Sequence, residues 1–533
     1  MRGGSLKRWN GWGDESVSLA VPPAAARLLE ARIGPGAPPK DAALADVVAG
    51  APPPRLAPGR LVTTDAETRV RHARGQSLPD WIALKSGRLG ALPDAVAYPE
   101  SDADVRELLA MARAGVRLVP YGGGTSVVGG VNPAPGDAPV LTIDLARVNG
   151  LLDLDETSRL ATFGAGILGP DLEAALRARG YTVGHFPQSF EHSTLGGWVA
   201  TRSSGQESRG YGRIEDLFAG GRLEAPSGTL VMPPFPASAA GPDVRQMILG
   251  SEGRLGIVTE ATVRVTPIAA REEVRAFFFS GDERALAATR ALAQTRLPLS
   301  MLRLSLAEET ESALLLAGAG PTARALDAWL ALRGVKAGRC LLLAGASGEE
   351  APVARALAAA EDLVLSARGV PGPAALGRRF LRDRFRGPYL RNALWDLGYA
   401  VDTLETATTW EKVPALVAAV EHALSSSLEA LGERLHVFTH LSHAYPSGSS
   451  AYTTYVFRAA EPDATLRRWE LAKRAASEAI VRAGATISHQ HGVGSDHLPY
   501  LAAEKGELGV ASLAALARVF DPAGAMNPGK LVP

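Results

Sequence analysis

Cysteine is almost missing from this sequence: Cys340 stands alone among 533 residues. A single thiol excludes an intrachain disulfide and fits a reducing compartment. Its setting, Arg339-Cys340-Leu341-Leu342-Leu343, reads as a small buried hydrophobe rather than a nucleophile. Excess charge is missing too. Lys plus Arg number 56 and Asp plus Glu number 56, so formal net charge is zero. With no basic field and no blocks of like charge, nucleic-acid binding is not expected. No apolar run reaches transmembrane length. The opening residues are polar and basic, without the apolar core of a secretory signal. A cytoplasmic location is therefore expected, with any membrane contact peripheral and through the surface.

What is present is an ordinary globular balance, 46% hydrophobic and 21% charged, in a chain long enough for two or three domains. Residues 1–80 read as a partly helical appendage, with Trp9 and Trp12 placed to anchor it and Pro52-Pro53-Pro54 breaking it. Residues 81–270 alternate strands and helices, the pattern of an α/β layered domain. Ala95–Tyr98, Val116–Pro120, Val140–Leu145 and Leu160–Phe163 read as strands. Ser101 and Asp104 form a capping box before a helix that Gly115 ends. Residues 271–495 carry long Ala/Leu/Arg/Glu helices between short strands, an α+β cap. Residues 496–533 close the chain. The fold class expected for the whole is α+β.

Three loops carry candidate chemistry. Pro120-Tyr121-Gly122-Gly123-Gly124-Thr125-Ser126 follows a strand, and its glycines allow a tight turn that presents N–H groups to an anion such as a pyrophosphate. It lacks the Gly-Lys-Ser/Thr of a Walker loop, and no helix can open in the Gly- and Pro-containing stretch after it. A glycine-rich hairpin without a ligand would read the same. The second loop covers Gln188 to Thr194, with Gly196-Gly197 and Thr201 to Ser204 after it. The third covers Glu252 to Val258. Both are rich in small and hydroxyl residues and are expected to precede apolar strands. His436, His440 and His443 have metal-like spacing, but on a strand 440 and 443 face opposite ways and no acidic residue is close in sequence. No metal is expected.

The order and spacing of these loops resemble the FAD domain of the vanillyl-alcohol-oxidase-type flavoenzymes, and within them the alkylglycerone-phosphate synthase family. The likeness covers almost the whole chain. It rests on Arg8-Trp9-Asn10-Gly11-Trp12-Gly13, Gly184-His185, Gly196-Gly197-Trp198-Val199-x-Thr201-Arg202, Tyr211-Gly212-x-Ile214-Glu215-Asp216-Leu217, Pro388-Tyr389-Leu390-Arg391 and Glu405-Thr406-Ala407. The resemblance implies a two-subdomain FAD-binding domain, at 81–270, whose C-terminal segment 496–533 returns to it. It implies FAD contacts at Pro120, Tyr121, Gly122, Gly123, Gly124, Thr125 and Ser126. It implies others at Gln188, Ser189, Phe190, Glu191, His192, Ser193, Thr194, Thr201, Arg202, Ser203 and Ser204. The last set is Glu252, Gly253, Arg254, Leu255, Gly256, Ile257 and Val258.

The activity implied is exchange of the acyl group of acyl-dihydroxyacetone phosphate for a fatty alcohol through a flavin N5 adduct, in ether-lipid synthesis. A homodimer is expected by the same likeness. Arg391 matches the phosphate-binding arginine. Arg303, a charge in an apolar strand, matches a second substrate arginine, though a structural ion pair would read the same. Tyr452 matches the catalytic tyrosine, while His185, His443, His489 and His491 are candidate catalytic histidines. The family pattern has three consecutive histidines before Gly-Val-Gly, and here the middle one is Gln490. Glutamine can hydrogen-bond but cannot carry a proton at neutral pH. Proton transfer then falls to His489, His491, His443 or Tyr452. The alternatives are an FAD-dependent dehydrogenase or oxidase of glycerol 3-phosphate or a 2-hydroxy acid, and a catalytically idle FAD-binding protein.

Overall fold

The computed structural model of the chain describes residues 7–318 and 320–532. Its first sheet has the order Val62–Thr63, Ala95–Ala97, Val140–Asp144, Arg117–Tyr121. The last three strands are parallel, so each needs a crossover. The first crossover is the helix Asp102–Leu109 with a final turn to Ala114. The Ser101 side chain accepts from the Asp104 N–H at its start, and Gly115 closes it at φ +78°. Only half of the expected capping box forms. The Asp104 carboxylate accepts from the Glu100 N–H and pairs with Arg60 instead. The chain's end docks on the free edge of this sheet: Leu118 N–H donates to the Ala525 carbonyl and Asn527 N–H to the Leu118 carbonyl.

A second sheet is antiparallel, in the order Leu151–Asp155, Leu160–Gly164, Ile257–Arg264, Phe218–Ala225, Gly228–Met232. Phe163, Leu172, Trp198, Phe218 and Leu223 form a common core between it and the helices Gly169–Arg177 and Leu195–Thr201. The segment after Thr194 is thus a helix, not the strand its composition suggested. The Thr194 side chain caps it by accepting from the Gly197 N–H. Gly196 lets the helix approach the sheet, since a Cβ there would lie 2.9 Å from that of Ala165.

The third sheet has seven strands, ordered Val370–Pro371, Arg271–Ser280, Arg339–Gly348, Met301–Ser305, His436–Leu441, Gly448–Arg458, Tyr399–Thr409. Every pairing in it is antiparallel. Phe277, Phe279, Leu302, Leu342 and Cys340 are buried here under helices that include Asp282–Ala293 and Glu350–Ser366. The N-terminal segment is fastened to this unit: Asn392 accepts from the Trp12 N–H and donates to the Trp12 carbonyl. The helix Leu78–Ser86 joins it too, with Leu78 and Trp81 buried among Trp395, Leu404 and Tyr455. The architecture is α+β: two sheets with their helices, followed by an antiparallel seven-stranded cap. Among the described residues no helix is long and apolar enough to cross a membrane.

Candidate active site

A cavity of about 520 Å³ runs from the glycine loop to the cap sheet. Its floor is the segment Pro120–Ser126. The loop lies so close to the second loop that glycine is required: a Cβ on Gly122 would sit 2.3 Å from Thr194 Oγ1, and one on Gly123 would sit 1.6 Å from the His192 carbonyl oxygen. The N–H groups of Gly122, Gly123, Gly124 and Thr125 donate to no group among the described residues. Consecutive unspent amides on a cavity wall are what an anionic diphosphate needs, so the loop fits the pyrophosphate of FAD. Gln188, Ser189, Ser193, Thr194, Thr201, Ser203, Gly253, Gly256, Ile257 and Val258 line the same cavity.

Several other expected contacts point elsewhere. The Arg202 guanidinium reaches Glu215, the Leu249 carbonyl and Gln246. Arg254 donates to the Met526 carbonyl. Phe190 stacks on Phe385 at 5.0 Å, and Leu255 is in the core. His192 lies across the loop from this cavity, against Trp12 and Tyr389, and Glu191 is exposed. Ser204 faces the cap: its Oγ is 3.4 Å from His443 Nδ1 and its N–H donates to Gln490. Glu252 lines the cavity, but its carboxylate accepts from the Val493 and Gly494 N–H groups at 2.5 and 2.6 Å. Burial pushes its pKa up to about 7 against those two donors.

The far wall is built by strand register. Tyr452, on Gly448–Arg458, is paired directly with His440 on one side and Glu405 on the other, and directly opposed residues share a face. Tyr452 stacks on His440 at 4.8 Å, and its hydroxyl donates to Thr403. Burial raises the Tyr452 pKa, so the phenol stays protonated. The segment 486–491 docks along the edge strand: His489 N–H donates to the Glu405 carbonyl and Thr486 N–H to the Ala407 carbonyl. This brings His491 edge-on to Tyr452, 5.8 Å between rings.

Glu405, named among the motif residues but not among the candidate catalytic ones, is the hub of this wall. Its side chain has no exposure and lies 3.2 Å from His489 Nδ1 and 3.8 Å from His491 Nε2. It also accepts from Ser442 Oγ at 2.7 Å and from Gln490 Nε2 at 2.5 Å. The acidic partner absent from the local sequence thus arrives from the edge strand, two strands away from His436–Leu441. Glu405, His443 and His489 place ligand-type atoms within 4.8 Å of one another. The two imidazoles, however, are stacked face to face at 5.0 Å and 28°. The carboxylate spends its oxygens on Ser442 and Gln490, and His489 Nε2 meets Tyr445.

His491, Gln490, Tyr452, Arg391, Arg303 and His440 line the cavity. His489, His443 and His185 stand behind its wall. His489 Nε2 meets the Tyr445 hydroxyl at 2.7 Å. His185 contacts Ser203 Oγ at 3.2 Å and the Trp198 ring. Burial takes the pKa of His185 and of His443 down to about 3, so both are neutral. His491 is lowered as well, by burial, with Glu405 opposing the shift.

The two arginines differ. Arg303 donates to Glu309 at 2.7 Å and to Ser305, and lies 3.2 Å from His440. Its charge is already balanced. Arg391 lies 4.3 Å over the Trp81 ring and spends Nη1 on the Gln76 carbonyl, while Nε and Nη2 have no hydrogen-bond partner among the described residues. Burial lowers its pKa to about 10.

The comparisons with known proteins agree with this geometry. An FAD binding domain matches residues 93–232, and the C-terminal domain of FAD linked oxidases matches residues 268–531. The fold also matches a 4-ethylphenol oxidase from Gulosibacter chungangensis at 13% identity, TM-score 0.68, over 92% of this chain and 98% of that one. The chain is therefore an FAD-dependent flavoenzyme with the vanillyl-alcohol-oxidase type of fold. The alkyldihydroxyacetonephosphate synthase of Dictyostelium discoideum is 30% identical over 88% of this chain and 78% of its own length. A solved alkyldihydroxyacetonephosphate synthase superposes with TM-score 0.84 at 26% identity, covering 98% of this chain and 99% of that one. The chain belongs to the alkyldihydroxyacetonephosphate synthase family.

Proposed function

We propose that this chain exchanges the acyl group of an acyl-dihydroxyacetone phosphate for a fatty alcohol, releasing a fatty acid and leaving an ether. One carbon–oxygen bond breaks, to the departing carboxylate, and one forms, to the alcohol oxygen. The alcohol's proton is the only other atom to move, and there is no net oxidation. Bound FAD supplies a ring nitrogen that can bond to carbon reversibly without an electron acceptor. The observation that carries the reading is Arg391, a buried guanidinium that lines the cavity beside Tyr452 and His491 and has two nitrogens without a partner among the described residues. A phosphate dianion completes such a fork.

The protonated Tyr452 phenol can donate, and His491, its pKa lowered, can accept. Leu316, Leu390, Leu394, Phe438 and Val456 give part of the cavity an apolar lining suited to alkyl chains and to excluding water. The lone, buried Cys340 supports a reducing, cytoplasmic setting. The reading is tested by incubating the FAD-loaded protein with palmitoyl-dihydroxyacetone phosphate and hexadecanol, without an acceptor, and weighing the products. Ether phosphate and free acid in equal amounts are expected. Consumption of an acceptor with an oxidised product would make the protein a dehydrogenase.

A further inference from the structure

We infer that Glu405 is a positioning residue for the proton-handling wall, and that Gln490 is part of the same device. One carboxylate, wholly enclosed, faces His489, Gln490 and His491 at once. Three consecutive loop side chains are thereby referred to a single point on the cap's edge strand. Gln490 extends the reference across the cavity: its Oε1 accepts from the Ser204 N–H of the FAD domain at 3.2 Å while its Nε2 donates to Glu405. Tyr452, which pairs with Glu405 across the strands, is set by the same register. The strap therefore fixes the distance between the FAD-domain loop and the two cavity-facing groups, His491 and Tyr452.

The glutamine matters for charge. A histidine at 490 would compete with His491 for the one carboxylate. An amide donates a hydrogen bond to Glu405 and takes no proton, so the negative charge remains available to favour protonated His491. The other charged or titratable groups around the cluster are His440 and His443 from the cap sheet, Arg213, whose guanidinium donates to the His489 carbonyl, and Tyr445. Lys473, from the helix Pro462–Arg482, Asp402, from the edge strand itself, and His497, after the docked loop, also face it. Glu405 also raises the pKa of His440 and His443, so a change at 405 moves both in the same direction as His491 and the sign of the effect holds.

The inference rests on the exchange reading for its assay and on His491 as the group that must be neutral. The experiment is the pH dependence of kcat/KM for the FAD-loaded wild type, Glu405→Gln, Glu405→Asp and Gln490→Leu, with flavin content read from the visible spectrum. Wild-type turnover is scored first, and its absence would sink the exchange reading rather than this one. With Glu405→Gln, loss of the carboxylate moves the acid limb to lower pH by roughly one unit or more, and misplacement lowers kcat on the order of 100-fold with KM little changed. Glu405→Asp recovers part of kcat and most of the limb. Gln490→Leu moves the limb the other way, upward, because the carboxylate loses a donor and bears harder on His491. Opposite shifts cannot come from a merely structural role. Unmoved limbs in the flavin-loaded variants overturn the inference. If Glu405→Gln fails to hold FAD, a Gln490→Leu limb that stays in place overturns it alone.

Discussion

Replacing Arg391 with methionine separates a substrate anchor from a structural cation. The methionine keeps most of the apolar stem that rests on Trp81 and removes the charge. In the protein without substrate, that charge is a burden: burial brings the arginine from 12.5 to about 10, which corresponds to roughly 3 kcal/mol of unfavourable environment. Against this stand one hydrogen bond to the Gln76 carbonyl, worth about 1 kcal/mol net, and a cation–π contact of roughly 0.5–2 kcal/mol. The terms nearly cancel, so Tm should move little. Substrate binding should not be spared. Two charge-assisted hydrogen bonds from the guanidinium to phosphate, at about 1.5–3 kcal/mol each, amount to roughly 100-fold or more in kcat/KM. The assay is steady-state exchange turnover beside a melting curve, with inorganic phosphate as a competitive inhibitor of the wild type that no longer inhibits the variant. A variant that melts much earlier yet turns over within about fivefold of wild type would refute the reasoning, because Arg391 would then be holding the fold and not the phosphate.

Other perturbations give equally definite expectations. Gly123→Ala puts a Cβ 1.6 Å from the His192 carbonyl oxygen, so the variant should purify with little flavin, read as the ratio of visible to ultraviolet absorbance; a full complement of FAD would contradict the loop assignment. Tyr452→Phe keeps the stack on His440 and should retain FAD while turnover falls roughly 100-fold or more; near-normal turnover would remove Tyr452 from the reaction. His185, His443 and His497 are each held neutral by burial, with pKa values of about 3. The unfolded chain takes up protons below its histidine pKa of about 6.5. Their contribution to stability is thus complete above that pH and lost as pH falls toward about 3, by roughly 4 kcal/mol per pH unit for the three together. Melting curves between about pH 7 and about pH 5 test this; a flat Tm would mean that these rings are solvated or charged in the fold.

The parts of this protein legible in the sequence are those whose physics is local. Gly122-Gly123-Gly124 announces a backbone that must turn and pack closely. Gly115 marks a left-handed helix end, and the Leu-rich run around Cys340 belongs to a buried strand. Composition misled where two local signals competed: the small residues after Thr194 suit a strand edge, but a threonine cap and Gly196 packing on Ala165 make a helix. The hub of the active-site wall was hidden for a different reason. Glu405 meets Ser442, His489 and Gln490 only because the edge strand, the turn after His436–Leu441 and a docked loop come together, and no spacing along the chain encodes that. The signals available were the two acidic residues of that strand, Asp402 and Glu405, and the place of Glu405 in the Glu405-Thr406-Ala407 motif. Arg303 and Arg391 both match substrate arginines by resemblance. Glu309, six residues from Arg303, was a visible partner, whereas the lack of any partner for Arg391 Nε and Nη2 needed coordinates.

The central claim, that this flavoenzyme joins an alcohol to a phosphorylated three-carbon unit without net oxidation, is tested most directly by the visible flavin spectrum of the FAD-loaded protein under anaerobic conditions. Acyl-dihydroxyacetone phosphate should bleach the band, and a fatty alcohol alone, with no electron acceptor, should restore it. A band that ignores this substrate, or one that glycerol 3-phosphate or a 2-hydroxy acid bleaches and only oxygen or a dye restores, would contradict the account and make the protein an oxidoreductase.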